Sequence, residues 1–165
     1  MKLNGVTAWE ASWYGDAPNL RGVNVVIVDP FSCSVQGEAL RYDTYGNRNV
    51  AADLAASLQG LSSGSIVVGI SADEATRYLD AAEATLTGIG ADVSDVGHRG
   101  AFAFVAQKGF SAKTVLRKAL TEAAANAEQP HFTATVSGAI YCTYPSTNDR
   151  CRLRRRFRRS TFLIF

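Results

Sequence analysis

Short runs of β-branched and aromatic residues dominate the hydrophobic pattern of the chain. Residues 21–30 read RGVNVVIVDP, with almost no polar interruption between residues 23 and 28. Such a run is typical of a strand that is buried on both faces, and Pro30 ends it because proline cannot continue a hydrogen-bonded ladder. Residues 65–70 (SIVVGI) and 101–106 (AFAFVA) have the same character. We therefore predict three interior strands.

Other segments predict a hairpin partner and helices. Residues 35–42 follow the first strand after a short polar turn, which favours a β-hairpin. Apolar residues at helical spacing predict helices near 50–58, 73–87 and 112–126. Asn49 is expected to cap the first helix, and Ser71 and Glu74 form an S-x-x-E capping box for the second. Further strands are predicted at 131–136 and 139–144. The mixed order favours an α+β fold with mostly antiparallel strands and helices on the outside.

The charge distribution divides the chain into three parts. The 165 residues suit one domain with a short addition, and the net charge at pH 7 is only +2. Seven arginines and no acidic residue lie between Arg150 and Arg159. We predict an N-terminal strand and loop segment at 1–20, a folded domain at 21–145 and a disordered basic tail at 146–165. A basic run of this kind binds polyanions such as nucleic acid or a sulphated glycan.

Several function classes find no support in the sequence. No apolar run reaches the roughly 20 residues that cross a bilayer, so we expect no membrane insertion. The first residues lack the apolar stretch of a signal peptide, which favours a cytosolic chain or a piece of a larger secreted protein. The chain contains no nucleophile triad, metal motif or phosphate-binding loop, so we expect no catalytic residues, no metal and no cofactor. Paired carboxylates for glycoside hydrolysis are an alternative, but their spacing selects no pair; the candidates are Asp29, Asp43, Asp73 and Glu74.

Three cysteines allow one disulfide and leave one thiol over. Their spacing fits no zinc site. The polar stretch between Cys142 and Cys151 could close a small loop in an oxidising compartment, and this pairing is favoured over any that involves Cys33. Three free thiols remain the alternative.

Five segments in order resemble the ILEI (PANDER-like) domain family. They are RGVNVVIVDP, YDTYG, GSIVVGISADEAT, LTGIGAD and GHRGAFAFVAQKG, and the resemblance runs from residue 21 to about residue 142. It implies two packed, mainly antiparallel β-sheets with about three flanking helices. It also implies an extracellular location or the secretory-pathway lumen. Members of the family include secreted cytokine-like proteins, a hyaluronan-processing cell-surface protein and the stem domain of an O-mannose glycosyltransferase.

In that stem domain the module binds carbohydrate without catalysis, and the matching positions in this chain are Arg21, Asp73 and Arg99. Arginine offers a planar set of donors and aspartate two acceptor oxygens, which together can hold neighbouring sugar hydroxyls. The alternative is structural: Arg21 pairs with Asp73, and Asp73 stabilises a helix start. His98 replaces a usual aromatic residue of the family, and the small Gly100-Ala101 pair is expected to make the pocket shallower.

The sequence therefore predicts a non-catalytic carbohydrate-binding module of a secreted or membrane-anchored protein. Its expected partner is a glycan or glycoprotein, and the expected ligand is a neutral sugar or short glycan that is bound and not cleaved. The alternative function is a secreted cytokine-like protein-interaction domain that binds a cell-surface receptor and no sugar.

Overall fold

The computed structural model describes residues 2–3, 6–7, 21–31, 34–109, 116–120, 134–139 and 159–164. Side chains are described for 21–31 and 34–109. The three cysteines lie outside these ranges, so the predicted disulfide stays a prediction. The strands are β1 (Lys2–Leu3), β2 (Val6–Thr7), β3 (Gly22–Val28), β4 (Val35–Tyr42), β5 (Ile66–Ala72), β6 (Ala101–Gln107), β7 (Leu116–Leu120), β8 (Ala134–Ala139) and β9 (Arg159–Ile164), and the helices are α1 (Arg48–Gly60) and α2 (Asp80–Gly88).

The main sheet has the strand order β4-β3-β5-β6-β7, and each neighbouring pair is antiparallel. All seven residues of β3 are buried, and β5 and β6 are almost fully buried. The three predicted interior strands are therefore confirmed, as is the hairpin of β3 with β4. Strand β4 lies at the edge of the sheet and is largely exposed.

Helices α1 and α2 share a hydrophobic core with one face of the sheet. The core includes Val25 of β3, Leu54 of α1 and Leu86 of α2, with Phe102 and Phe104 of β6. Alternate residues of the same strands, such as Val26 and Val68, point to the opposite face and are also buried. Burial on both faces explains why these strands read as continuous apolar runs.

Two helix starts differ from the prediction. Asn47 caps α1, because its side chain accepts a hydrogen bond from the Asn49 backbone N–H at 3.0 Å; the predicted cap at Asn49 was wrong. Helix α2 begins at Asp80, and the predicted start at residue 73 was also wrong. Ser71 belongs to β5, where its Oγ accepts a hydrogen bond from the Phe102 backbone N–H at 2.8 Å. A tertiary hydrogen bond with β6 therefore engages the Ser71 side chain, which does not cap a helix.

The predicted helix at 112–126 is also wrong, because β7 lies within that range and pairs with β6 from Ala101–Leu120 to Val105–Leu116. Backbone partners along β6 outweigh the local helical spacing. Strands β1, β2, β8 and β9 pair in the antiparallel order β2-β1-β9-β8.

The described residues thus confirm the α+β class with antiparallel strands, whereas the packing of two sheets on each other and a third helix are not shown. Strand β9 lies within 146–165, and the rest of that segment is outside the described ranges. The predicted division at residues 20 and 145 therefore stays a prediction. No helix in the described part of the chain is long and apolar enough to cross a membrane.

Candidate functional site

Four neighbouring strands bring polar residues to the same end of the sheet. Strands β3 and β5 pair with Gly22 opposite Ala72. Arg21, just before β3, and Asp73, just after β5, therefore lie at the same end of the sheet. Strand β4 ends at Tyr42 immediately before Asp43, and β6 begins at Ala101 shortly after Arg99. We call this end of the sheet the rim and define it by Arg21, Asp43, Tyr45, Asp73 and Arg99. The order of the strands places acidic and basic side chains alternately along it.

Arg21 is held in place by Asp43. Its Nε lies 2.9 Å from Asp43 Oδ1 and its Nη2 lies 2.6 Å from Oδ2, which is a bidentate ion pair. The hydrogen bond from Arg21 is the main cause that lowers the pKa of Asp43. The same bond chiefly raises the pKa of Arg21, and the charge of Asp73 adds to the effect. The ion pair that orients Arg21 is thus made with Asp43, and Asp73 acts on Arg21 through its charge.

Gly46 is required beside this ion pair. The Asp43 Oδ1 atom also accepts a hydrogen bond from the Gly46 backbone N–H at 2.9 Å. A Cβ atom at position 46 would lie 2.5 Å from Asp43 Oδ2 and 2.7 Å from Arg21 Nη2. The YDTYG turn thus folds tightly around the carboxylate that orients Arg21.

Asp73 and Arg99 form the exposed half of the rim. Arg99 Nη2 lies 3.5 Å from Asp73 Oδ1, and the two side chains are 55% and 46% exposed. Both residues have positive φ, 54° for Asp73 and 52° for Arg99, and no other non-glycine residue in the described ranges does. Left-handed backbone costs an ordinary residue such as Arg99 roughly 1–2 kcal/mol, whereas aspartate adopts it more readily. Surrounding contacts must therefore hold Arg99 in place.

The buried carboxylate of Glu74 supplies those contacts. Glu74 is 3% exposed; its Oε1 accepts hydrogen bonds from Thr76 N at 2.6 Å and from Thr76 Oγ1 at 2.7 Å. Its Oε2 accepts from the Arg99 backbone N–H and lies 3.5 Å from His98 Nε2. Burial acts to raise the pKa of Glu74, but the hydrogen bonds from Thr76 and Arg99 outweigh it and the pKa is lowered. Glu74 therefore ties the Arg99 loop to the turn that carries Asp73.

A second set of hydrogen bonds joins the Asp43 turn to the segment after Glu74. Thr44 Oγ1 donates to the Ala75 carbonyl at 2.6 Å, and the Tyr78 backbone N–H donates to the Thr44 carbonyl at 3.0 Å. The Tyr45 ring, beside this junction, has Arg21 Cζ at 4.7 Å and Arg77 Cζ at 4.9 Å from its centroid. The turns after β4 and β5 thus form one connected surface.

The three residues predicted from the sequence all lie on the rim. Asp73 and Arg99 are in contact, whereas Arg21 is 27% exposed and bound to Asp43. Sequence reasoning listed Asp43 and Glu74 among the candidate carboxylates, but it missed Asp43 as the partner of Arg21 and Glu74 as the anchor. The signal was present in the family-like YDTYG segment. Within the described ranges, no group of three His, Cys, Asp or Glu residues could hold a metal ion.

Comparison with known protein families finds a matching model. A family model described as Interleukin-like EMT inducer, ILEI, matches residues 21–110. The match covers more than half of the 165 residues and includes every residue of the rim. No curated protein matches the chain.

Proposed function

Because the chain belongs to the interleukin-like EMT inducer family, we propose that it is a non-catalytic recognition module whose rim binds a glycan. One observation carries the proposal. Asp73 and Arg99 are half-exposed and oppositely charged, both have left-handed backbone, and the Arg99 backbone N–H donates to the buried carboxylate of Glu74. Strained positions of this kind persist only where the surroundings enforce them, and they cluster at binding and active sites.

The rim offers the chemistry that sugar hydroxyls require. A hydroxyl both donates and accepts, so the acceptor oxygens of Asp73 and the donor nitrogens of Arg99 can engage neighbouring hydroxyls of one ring. Their exposed ion pair is weak enough for a ligand to enter it, since such pairs contribute about 0–1 kcal/mol. Arg21, oriented by Asp43, places a further positive charge beside Asp73.

The state of the carboxylates supports binding without cleavage. Glycoside hydrolysis needs a pair of carboxyl groups, one of which has a raised pKa and acts as the acid. The pKa values of Asp43 and Glu74 are both lowered. Asp29 follows the far end of β3, where it accepts hydrogen bonds from the Phe31 backbone N–H and the Gln36 side chain. The lowered pKa values of Asp43 and Glu74 and the position of Asp29 at the far end of the strand therefore support binding without cleavage.

We further propose that the module works outside the cell or in the secretory-pathway lumen, as part of a secreted or membrane-anchored protein. Its partner there is a glycan or a glycoprotein. The arginine-rich segment at 146–165 adds a non-specific attraction to polyanions, which salt weakens.

A protein-interaction domain that binds a cell-surface receptor is the second candidate. Strand β4 favours it, because this exposed edge strand presents backbone groups that another chain can pair with. Two exposed apolar side chains, Phe31 and Leu40, lie at or near this edge.

A glycan array, probed with the full chain and with a chain lacking residues 146–165, tests the proposal. We expect the same neutral or acidic glycans to bind both chains, because the rim lies outside the deleted segment. Arg21→Ala, Asp73→Ala and Arg99→Ala should each abolish measurable binding. The loss of a directional hydrogen bond lowers affinity by about tenfold to a hundredfold.

Arg41→Ala is the matched control, because Arg41 is exposed on β4 and strand alternation places it on the face opposite the buried Tyr42. Circular dichroism verifies that each variant is folded. Binding that depends only on residues 146–165, or that survives all three rim substitutions, would rule out the rim as a glycan site and favour the receptor-binding function.

A further inference from the structure

A third arginine stands beside the rim, and its surroundings differ from those of Arg21 and Arg99. Arg77 is exposed, and its Cζ lies 4.9 Å from the ring centroid of Tyr45 and 4.9 Å from that of Tyr78. Asp43 pairs with Arg21 and Asp73 pairs with Arg99. Arg77 forms no ion pair with any carboxylate in the part of the chain that the structure describes.

The backbone around Arg77 is fixed against the Asp43 turn. Hydrogen bonds on both sides of it, from Thr44 Oγ1 to the Ala75 carbonyl and from the Tyr78 N–H to the Thr44 carbonyl, hold the segment. Both rings contact the guanidinium with their faces, which restricts it further. A cation–π contact uses none of the five N–H donors as a hydrogen bond, so they stay available for a ligand.

We propose that Arg77 is the anion-binding arm of the rim and that the ligand is an acidic sugar, one that carries a carboxylate. The inference rests on the proposed glycan function and replaces the neutral ligand that we expected from the sequence. A planar guanidinium matches a carboxylate in a two-point hydrogen-bonded geometry. The half-buried Tyr78 ring can add apolar surface for the C–H face of a sugar.

The local charge agrees with this ligand class. The charged side chains that are exposed or half-buried on the rim and beside it are three arginines and two aspartates: Arg21, Arg77, Arg99, Asp43 and Asp73. Glu74 lies beneath them, and its carboxylate is already engaged by backbone N–H groups and faces His98. Three arginines and three acids sum to zero, but each acid is already engaged, so Arg77 is the cation that a ligand carboxylate can meet. This attraction is screened at physiological ionic strength over roughly 8 Å.

The test compares sugars that differ in a single group. Methyl β-glucuronide and methyl β-glucoside differ only in a carboxylate against a hydroxymethyl group, and the galacturonide and galactoside form a second matched pair. Each is titrated into the isotope-labelled full chain, and affinity is read from NMR shift changes at low and at physiological ionic strength. Acetate provides the carboxylate without the sugar.

We expect at least one uronide to bind about tenfold more tightly than its neutral partner and than acetate, as one charge-assisted hydrogen-bonded contact implies. The preference should shrink at the higher ionic strength. Arg77→Gln should lower uronide affinity to that of the neutral sugar and leave neutral-sugar affinity unchanged. Arg41→Gln, the matched control, should change neither.

The outcomes separate this inference from the proposed function. If no sugar of either pair causes shift changes, the glycan function fails and the inference fails with it. If neutral and acidic sugars bind equally, and Arg77→Gln has no effect, the glycan function stands and only the acidic ligand class is refuted. A uronide preference that survives Arg77→Gln refutes the role of Arg77, and acetate binding as tight as the uronide refutes sugar recognition at this arm.

Discussion

Glu74→Gln is the substitution that most directly tests how the rim is built. The change keeps the shape of the side chain but turns one of its two acceptor oxygens into an NH2 donor. Both oxygens are in use: Oε1 accepts from Thr76, and Oε2 accepts from the Arg99 backbone N–H. In either amide orientation, therefore, one set of buried donors faces another donor.

The structure allows the cost to be estimated. A hydrogen bond to a charged group contributes about 1.5–3 kcal/mol, and a buried donor left without an acceptor costs about 1–3 kcal/mol. Glu74 is 3% exposed, so water compensates little. The bond to Arg99 also helps to hold that residue at a φ of 52°. We expect Glu74→Gln to lower the free energy of unfolding by about 2–4 kcal/mol.

Urea denaturation at neutral pH measures this free energy by linear extrapolation. Asp73→Asn is the control, because it removes a neighbouring acidic charge that is 46% exposed and in a weak surface pair, and it should cost less than about 1 kcal/mol. If Glu74→Gln costs no more than Asp73→Asn, the buried carboxylate does not anchor the loop. Glycan binding should fall in the Gln variant even under conditions where it is fully folded, because Arg99 loses its position.

The pH dependence of the free energy of unfolding provides a second test of Glu74. The pKa of Glu74 is lowered below its ordinary value of 4.5 in the folded protein. Its contribution to stability is therefore present above that value and is lost as the pH falls through the lowered pKa. The difference in unfolding free energy between the wild type and Glu74→Gln should narrow in acid; a difference that stays constant would contradict the assignment.

Two further predictions concern stability. Gly22→Ala should lower the free energy of unfolding, measured by urea denaturation, by about 3 kcal/mol or more. The reason is that φ of Gly22 is 100° and the new Cβ would lie 2.0 Å from the Tyr42 carbonyl oxygen. Gly60→Ala is the control: nothing lies within 4 Å of its Cβ, so it should change the free energy of unfolding by less than about 1 kcal/mol. Lys108→Met should lower the melting temperature, at a cost of about 1–2 kcal/mol, because Lys108 Nζ donates to the carbonyls of Leu58, Gln59 and Leu61 at the end of α1. Arg48→Met, at the exposed start of the same helix, is its control, and equal effects of the two changes would contradict the capping role.

The interior of the sheet could be predicted because its signal is local. Strands β3, β5 and β6 are buried on both faces, so nearly every residue in them is apolar and the pattern is clear without knowledge of the neighbours. The range 112–126 was different, since the apolar residues of 116–120 suit a helix as well as a strand. The segment forms a strand because β6 offers it backbone hydrogen-bond partners, and the sequence of the segment itself does not reveal those partners.

The site could be predicted in its positions but not in its bonding. Family-like motifs located Arg21, Asp73 and Arg99, and the register of the strands brings them to one edge. The spacing of Ser71 and Glu74 is that of a capping box, yet both side chains bind residues near position 100. Spacing alone does not distinguish a local hydrogen bond from a distant one. Arg77 was missed because its significance comes from the two rings beside it.

The rim draws its side chains from four strand ends that are far apart along the chain, so no short segment carries the site. The protein can therefore bind its ligand only when the sheet is folded, so ligand binding is linked to the folding equilibrium of the domain. A ligand that recognises the assembled rim should protect the whole domain against heat and protease, by about 2.7 kcal/mol at one hundred times its dissociation constant. Thermal shift against a library of sugars can therefore screen for the natural ligand without any label, and a peptide copied from any one turn of the rim should fail to compete.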